Sequence, residues 1–466
     1  MDRLSSLDAG FLQIENDTQQ MHVGSVLILE GPVPDYEDFC AHVESRLDSV
    51  PRYRQRVRRM PLDVARPIWV DDPHFSAAYH LRHTAIPKPG TEIQLRTLAG
   101  RVMGQRLDLD RPLWEMWLVE GLSRRRWAVI SKVHHAMIDG IAGNDLLETL
   151  LARDPDAPPS PSAAWHPRPG PSRLGLVAAG AEWTLRLPVE IGRAVTEVVR
   201  TPLEAARGTA VRAYGLAQVG RSAAKPTSVL NGPLGPHRRW GWARGDLADV
   251  KAVKNAAGCT VNDVVLAAIA GGFRRYLLER GEPVDDEVVR SLVPVSVRQP
   301  HEQGRLGNQV TAMFAELPVG VADPWERLAA VSLQMDHLKH SGMAVGVDSM
   351  VSAADFVPPT LMTLGARVAA RVGQRVVNTV TTNIPGPQYP LYLLGRRMLE
   401  MFPYIPIAEG VRISIGIVSY DGHLTIAATG DYDAVPDLDV LCGAIESSLA
   451  ELVAAVRDDP DDGGRP

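Results

Sequence analysis

Trp127-Ala-Val-Ile-Ser-Lys-Val-His134-His135-Ala-Met-Ile-Asp139-Gly140-Ile-Ala-Gly-Asn144 is the stretch on which the reading of this chain turns. An apolar run rich in Val and Ile ends in two adjacent histidines. A carboxylate follows four residues after the second, and a glycine then permits a tight turn. The run predicts a strand over residues 128–133. Neighbouring strand residues point to opposite faces, so one histidine can face a given cavity while the other packs or hydrogen-bonds behind it. A histidine at a strand end has a pKa suited to general-base work near neutral pH. Three readings stand side by side: a buried structural pair, a metal site and a general base. His135 and Asp139 stand four apart, but zinc takes at least three protein ligands and no His-Glu-x-x-His motif accompanies them.

The surroundings have a clear organisation. Upstream, residues 22–29 carry strand composition and residues 41–50 carry helical spacing. Downstream, seven prolines between Pro155 and Pro171 predict an extended linker, because prolines at that density prevent a helix or a central strand. A helical connector is expected over residues 173–224. In it Arg186, Arg193, Arg200 and Arg207 recur every seven residues, as do Glu190, Glu197 and Glu204, so the charges can pair along one face. Thr201-Pro202-Leu203-Glu204 has the pattern of a helix start, with Thr as N-cap and Pro at the first position. The connector reads either as a charged outer face between domains or as an amphipathic element touching a membrane or lipid droplet.

A second α/β region begins at Asn231. Residues 261–278 predict a long buried helix, and residues 289–297 and 412–419 predict strands. Asp421-Gly422 predicts a hairpin turn into a returning strand over 424–428. A last helix is expected over 438–456. The expected divisions are 1–154, an N-terminal half; 155–230, linker and connector; 231–457, a C-terminal half; and 458–466, an acidic tail. The junction of two such halves is a natural place for a site.

Composition narrows the function. The chain has 466 residues, 45% hydrophobic and 22% charged, with a formal net charge of −6. Such a balance argues against a protein built to grip a nucleic-acid backbone. The three cysteines, Cys40, Cys259 and Cys442, form no CxxC pair, which argues against a disulfide scaffold or structural zinc. The N-terminal residues have no apolar core of a secretory signal. No uncharged apolar run approaches the ~18 residues of a membrane span. The expected location is the cytoplasm, with peripheral membrane contact open. There is no G-x-x-x-x-G-K or G-x-G-x-x-G phosphate loop, and no G-x-S-x-G nucleophile elbow. A covalent intermediate on a serine nucleophile is therefore not expected.

His134-His135-x-x-x-Asp139-Gly140 matches the HHxxxDG signature of CoA-dependent acyltransferases and condensation domains. More widely, the chain resembles the bacterial wax ester synthase/acyl-CoA:diacylglycerol acyltransferase family. The resemblance rests on blocks in order: Leu4-Ser-Ser-Leu-Asp8 with Phe11-Leu12, Met21-His-Val-Gly24, Arg111-Pro-Leu-Trp114, Asn231-Gly-Pro-Leu-Gly-Pro236, Val261-Asn262-Asp263, Pro294-Val-Ser-Val-Arg298, Gly307-Asn308, Asn383-Ile-Pro-Gly-Pro387 and Ser419-Tyr-Asp-Gly422. Residues 152–228 match less well.

The resemblance implies an α/β (α+β) fold of two chloramphenicol-acetyltransferase-like halves joined by a helical connector, with the site in a tunnel between them. It implies transfer of a fatty acyl group from acyl-CoA to diacylglycerol, a fatty alcohol or both, with acyl-CoA as substrate and no cofactor. His135 is the expected base and His134 its support. Asp139, followed by Gly140, is expected to pair with Arg298 and shape the loop. Asn262 is read as an N-cap and as a polar group lining the tunnel. Trp114 is read as channel lining or as core. Two alternatives stay open. One is a related acyltransferase using a diol, sugar or polyketide product. The other is a non-catalytic lipid-binding protein of the same fold.

Overall fold

The computed structural model describes residues 2–61, 65–137, 149–157, 165–172, 174–178, 229–285, 287–296, 310–340 and 377–457. The apolar run before the histidines is a strand, β7 (Arg126–His134). It lies inside a six-stranded sheet with β2 (His22–Glu30), β5 (Leu81–Ala85), β6 (Trp114–Leu122), β13 (Tyr392–Leu393) and β14 (Arg396–Tyr404). The order is β13-β14-β2-β7-β6-β5. A small sheet of β1 (Asp2–Arg3), β3 (Gln55–Arg58) and β4 (Ile68–Asp71) stands apart from it.

The alternation of β7 explains its position. Trp127, Val129 and Val133 enter one core with Phe39 and Val43 of α2 (Tyr36–Arg46), Ala77 of the short α3 (Ala77–His80), and Ala9 and Leu12 of α1 (Ser6–Ile14). Ala128 and Ile130 enter a second core with Leu95, Ala99 and Val102 of α4 (Glu92–Met103). Both faces are covered, so the strand is apolar almost throughout. Gly24 of β2 is forced by close approach: a Cβ there would stand 1.9 Å from the carbonyl oxygen of Ser131. The helix expected over 41–50 begins earlier, at Tyr36, and gives way to a 3-10 turn at Leu47–Ser49 before Pro51.

The second sheet runs β11-β10-β12-β16-β17-β9. Its strands are β9 (Arg238–Asp246), β10 (Val289–Ser296), β11 (Val310–Leu317), β12 (Thr379–Pro385), β16 (Ile413–Tyr420) and β17 (His423–Asp431); β8 (Asn231–Gly232) and β15 (Gly410–Val411) pair separately. The β16–β17 hairpin turns at Asp421 and Gly422, both at positive φ, 45° and 83°. This agrees with the turn expected there. The helices of this half are α5 (Leu247–Ala257), α6 (Val261–Glu279), α7 (Pro324–His340) and α8 (Leu438–Arg457). Every residue of α6 from Asp263 to Phe273 is buried, as a continuous apolar helix requires.

The two halves share structure that the division at residue 231 does not anticipate. β13 and β14 come from the C-terminal half of the chain yet extend the first sheet, with Tyr404 opposite Gly24 and Met398 opposite Leu29. Trp240 and Trp242 of β9 pack with Phe402 and Tyr404 of β14, and Trp242 stacks on Phe402 at 4.1 Å. Arg244 of β9 closes this seam by pairing with both Glu92 of α4 and Glu400 of β14.

The described stretch 165–172 has no regular structure, as its prolines predict. The Arg168 guanidinium holds it to Asp71 at 3.1 Å. The repeat from Arg186 to Arg207, the start at Thr201–Glu204 and the tail 458–466 lie outside the described residues.

Candidate active site

β7 hands the chain to a turn through two backbone bonds. His134 N–H donates to the Leu113 carbonyl at 2.9 Å, and His135 N–H donates to the Met21 carbonyl at 2.8 Å. A 3-10 turn then runs over His135–Met137. The two adjacent rings occupy different surroundings.

His134 is wholly buried. Its Nδ1 accepts from Ala136 N–H at 3.0 Å, so in the neutral ring the proton sits on Nε2. That nitrogen faces Oε1 of Glu15 at 3.7 Å. His22 pairs with His134 across β2 and β7, and its Nε2 lies 3.3 Å from the same carboxylate oxygen. Its Nδ1 sits 3.2 Å from the Met103 carbonyl, which can only accept, so Nδ1 carries a proton. Arg106 reaches the other oxygen of Glu15 at 3.3 Å and Asp17 at 3.1 Å.

Glu15, His22 and His134 all have fully covered side chains. Neither imidazole contact to Glu15 has hydrogen-bond geometry. Burial raises the Glu15 pKa, but His22, His134 and Arg106 together outweigh it and hold the carboxyl down at about 2. Burial takes His134 down to about 3, so this ring is neutral. Two residues before His134 and on the same face, Lys132 is fully buried. Its ammonium donates to the Val102 carbonyl at 2.9 Å and to that of Gln105, capping the C-terminal end of α4. Burial lowers its pKa to about 8.

His135 is partly exposed. Its ring lies against Phe11 of α1, with centroids 3.9 Å apart. Its Nδ1 is buried and makes no hydrogen bond among the described residues. Dense surroundings lower its pKa below the usual histidine value. A neutral, partly exposed imidazole is chemically a base.

Asn262 sits at the second position of α6. The helix cap is Thr260, not Asn262: Asp263 N–H donates to the Thr260 hydroxyl at 3.2 Å and Thr260 N–H donates to the Asp263 carboxylate at 2.9 Å. This corrects the N-cap reading of Asn262. Relieved of capping, its side-chain oxygen accepts from Asn383 Nδ2 of β12 at 3.1 Å. Trp114 is 1% exposed. It stacks on His80 at 4.7 Å and donates from Nε1 to the Tyr53 carbonyl at 2.8 Å. The structure therefore places Trp114 in the core. Asp139, Gly140 and Arg298 lie outside the described residues, and so does their expected pairing.

Glu15, Arg106, Lys132 and the partnership of His22 with His134 were not singled out from sequence. Lys132 had a signal: it is a charged residue inside an apolar strand, on the same alternation as His134. Glu15 had none, because its partners are distant in the chain.

Two mixed sheets share a seam, with a histidine pair at the end of a central strand, and the family comparisons assign this arrangement to an acyltransferase of the two-half chloramphenicol-acetyltransferase-like fold. The profile of the wax ester synthase/diacylglycerol acyltransferase catalytic domain matches residues 4–265, and that of the WS/DGAT C-terminal domain matches residues 306–453. The chain belongs to this family.

A protein of Mycobacterium tuberculosis strain H37Rv, named as a probable diacylglycerol O-acyltransferase, is 36% identical over 456 residues, covering 97% of this chain and 96% of its own. The wax ester synthase/diacylglycerol acyltransferase from Marinobacter aquaeolei VT8 superposes with a TM-score of 0.70 at 25% identity, covering 98% of this chain and 100% of that one. The trichothecene 15-O-acetyltransferase from Fusarium sporotrichioides has a TM-score of 0.61 at 13% identity, covering 97% of this chain and 94% of that one, a likeness of fold alone.

Proposed function

We propose that this enzyme transfers a long-chain fatty acyl group from acyl-CoA to the hydroxyl of diacylglycerol, a fatty alcohol or both, with His135 as general base and no acyl-enzyme. The supporting observation is the division of labour at the end of β7. His134 is enclosed and tied to Ala136, whereas the His135 ring is partly exposed and neutral.

In this reading the His135 ring takes the proton of the acceptor hydroxyl as its oxygen attacks the thioester carbonyl. The carbon–sulfur bond then breaks, and the same proton passes to the departing CoA thiolate. Holding both substrates in one site replaces a bimolecular encounter with an oriented one. Excluding water protects the thioester from hydrolysis. Asp139 and Arg298 are assigned the role of a pair that shapes the loop, with Gly140 permitting its turn, and Asn262 that of a polar lining group. Because the acceptors are insoluble, peripheral contact with a membrane or lipid droplet on the cytoplasmic side belongs to the same proposal.

The test is release of CoA thiol by the purified protein from a long-chain acyl-CoA, with diacylglycerol, with a fatty alcohol and with no acceptor, and with products resolved by chromatography. Acceptor-dependent release with the matching ester supports the proposal. Release that is equal without acceptor, or undiminished in His135→Ala, refutes it.

A further inference from the structure

β3 and the residue after it place Arg56, Arg58 and Arg59 in the lining of one concavity of about 270 Å³. Its apolar floor is Leu12, Val57 and Leu109. That volume sits just below the range of whole small-molecule sites and suits a head group. The neighbouring arginines are all spoken for: Arg52 pairs with Asp2, Arg54 with Asp48 and Arg111 with Asp108. Those of the concavity are not. Arg56 uses one nitrogen on the Asp110 backbone carbonyl at 3.2 Å, and among the described residues Arg58 and Arg59 pair with nothing. The Asp110 carboxylate brings one negative charge to the lining, which leaves a net excess of two positive charges.

Like charges that outnumber their counter-charges repel one another, and this cost is relieved by a bound anion. Guanidinium groups favour phosphate in particular, because their forked donors match its oxygens in pairs. The location is also telling. Leu12 in the floor follows Phe11, whose ring lies on His135. A single turn of α1 thus touches both the pocket and the catalytic turn.

We propose that this pocket is a phosphate-binding subsite, holding a phosphate of the donor or of the lipid surface that carries the acceptor, beside the catalytic turn. Two sources supply that chemistry: the phosphates of the CoA donor, and the headgroup of a phospholipid surface that carries the acceptor. The relevance of either source rests on the acyl-transfer reading; the pocket's affinity for phosphate does not.

The experiment is binding, not turnover, so a failure of the acyl-transfer reading leaves it interpretable. Calorimetric titration with CoA, 3′-dephospho-CoA and pantetheine compares the wild type with the Arg58→Ala/Arg59→Ala double variant. Flotation with phosphatidylcholine vesicles, with and without phosphatidic acid, compares the same two proteins. Thermal melts establish that the variant is folded, and Arg58→Lys/Arg59→Lys keeps charge while removing the fork. The expected result is CoA or acidic-vesicle binding weakened about 10–100-fold in the alanine variant and less in the lysine variant. Weakening toward CoA, with pantetheine unaffected, assigns the donor phosphates. Weakening toward acidic vesicles, with CoA unaffected, assigns the headgroup. Equal binding of both probes by the folded variant and the wild type overturns the subsite.

Discussion

Replacing Glu15 by glutamine keeps the shape of the side chain and removes its charge. Glu15 stands between His22 at 3.3 Å, His134 at 3.7 Å and Arg106 at 3.3 Å, with its side chain fully covered. Two routes give the size of the effect. Its carboxyl titrates at about 2 in the folded protein against an ordinary 4.5. Taken in full, that depression corresponds to about 3 kcal/mol, an upper bound at neutral pH because His134 carries no charge there. Removing one partner of a buried charge cluster typically costs about 3–5 kcal/mol. For a chain of 466 residues, Glu15→Gln is therefore expected to lower the melting temperature by up to about 3–5 °C at pH 7.

The pH dependence is the sharper part. A carboxyl with a depressed folded pKa contributes stability above its unfolded value and loses it as pH falls toward the folded one. The gap between wild type and Glu15→Gln is thus full above pH 4.5 and shrinks to about half by pH 3. Urea unfolding followed by tryptophan fluorescence at pH 7, 5, 4 and 3 measures it. Equal stability at pH 7, or a gap that does not shrink below pH 4.5, would refute the charged role of Glu15.

Three further outcomes are expected. His135→Ala lowers kcat by about 10²–10⁴-fold without a comparable loss of melting temperature, whereas the wild-type kcat/KM profile is flat at neutral pH and falls only below 6.5, where the depressed His135 pKa lies; a limb centred above pH 7 contradicts this. Gly24→Ala forces a methyl group to within 1.9 Å of the Ser131 carbonyl oxygen, two residues from His22; β2 and β7 must separate, and thermal melts and acyl transfer should both show a large loss. Arg124 holds φ 61° in the β6–β7 turn, so Arg124→Gly relieves left-handed strain and raises stability by about 1 kcal/mol in urea titrations.

Local pattern carried far in this chain. The strand ending at His134, the helix starting at Val261 and the Asp421-Gly422 turn were legible because alternation, helical spacing and a turn pair are written in adjacent residues. The buried partnership behind His134 was not, because Glu15 and His22 meet it only once β2 has been laid beside β7. The cap of α6 shows a finer failure. Asn262 is a good capping residue, but Thr260 with Asp263 three positions on makes the reciprocal pair, and that pair takes the role. Trp114 was ambiguous for another reason: a large aromatic is equally at home in a channel and in a core, and only its contacts with His80 and Tyr53 distinguish them.

β14 has a bearing on how the chain is made. The edge of β2 on which Gly24 waits for Tyr404 is 380 residues old, in synthesis order, when its neighbour arrives. During translation at about 5–20 residues per second, that edge stands open for tens of seconds. An unpaired apolar edge is a template for the wrong strand, from this chain or another. The N-terminal half expressed alone keeps that edge open permanently, whereas the full chain closes it from within at the end of synthesis. The late strand is thus the latch of the early sheet, and the chain reaches a protected state only when nearly all of it has left the ribosome.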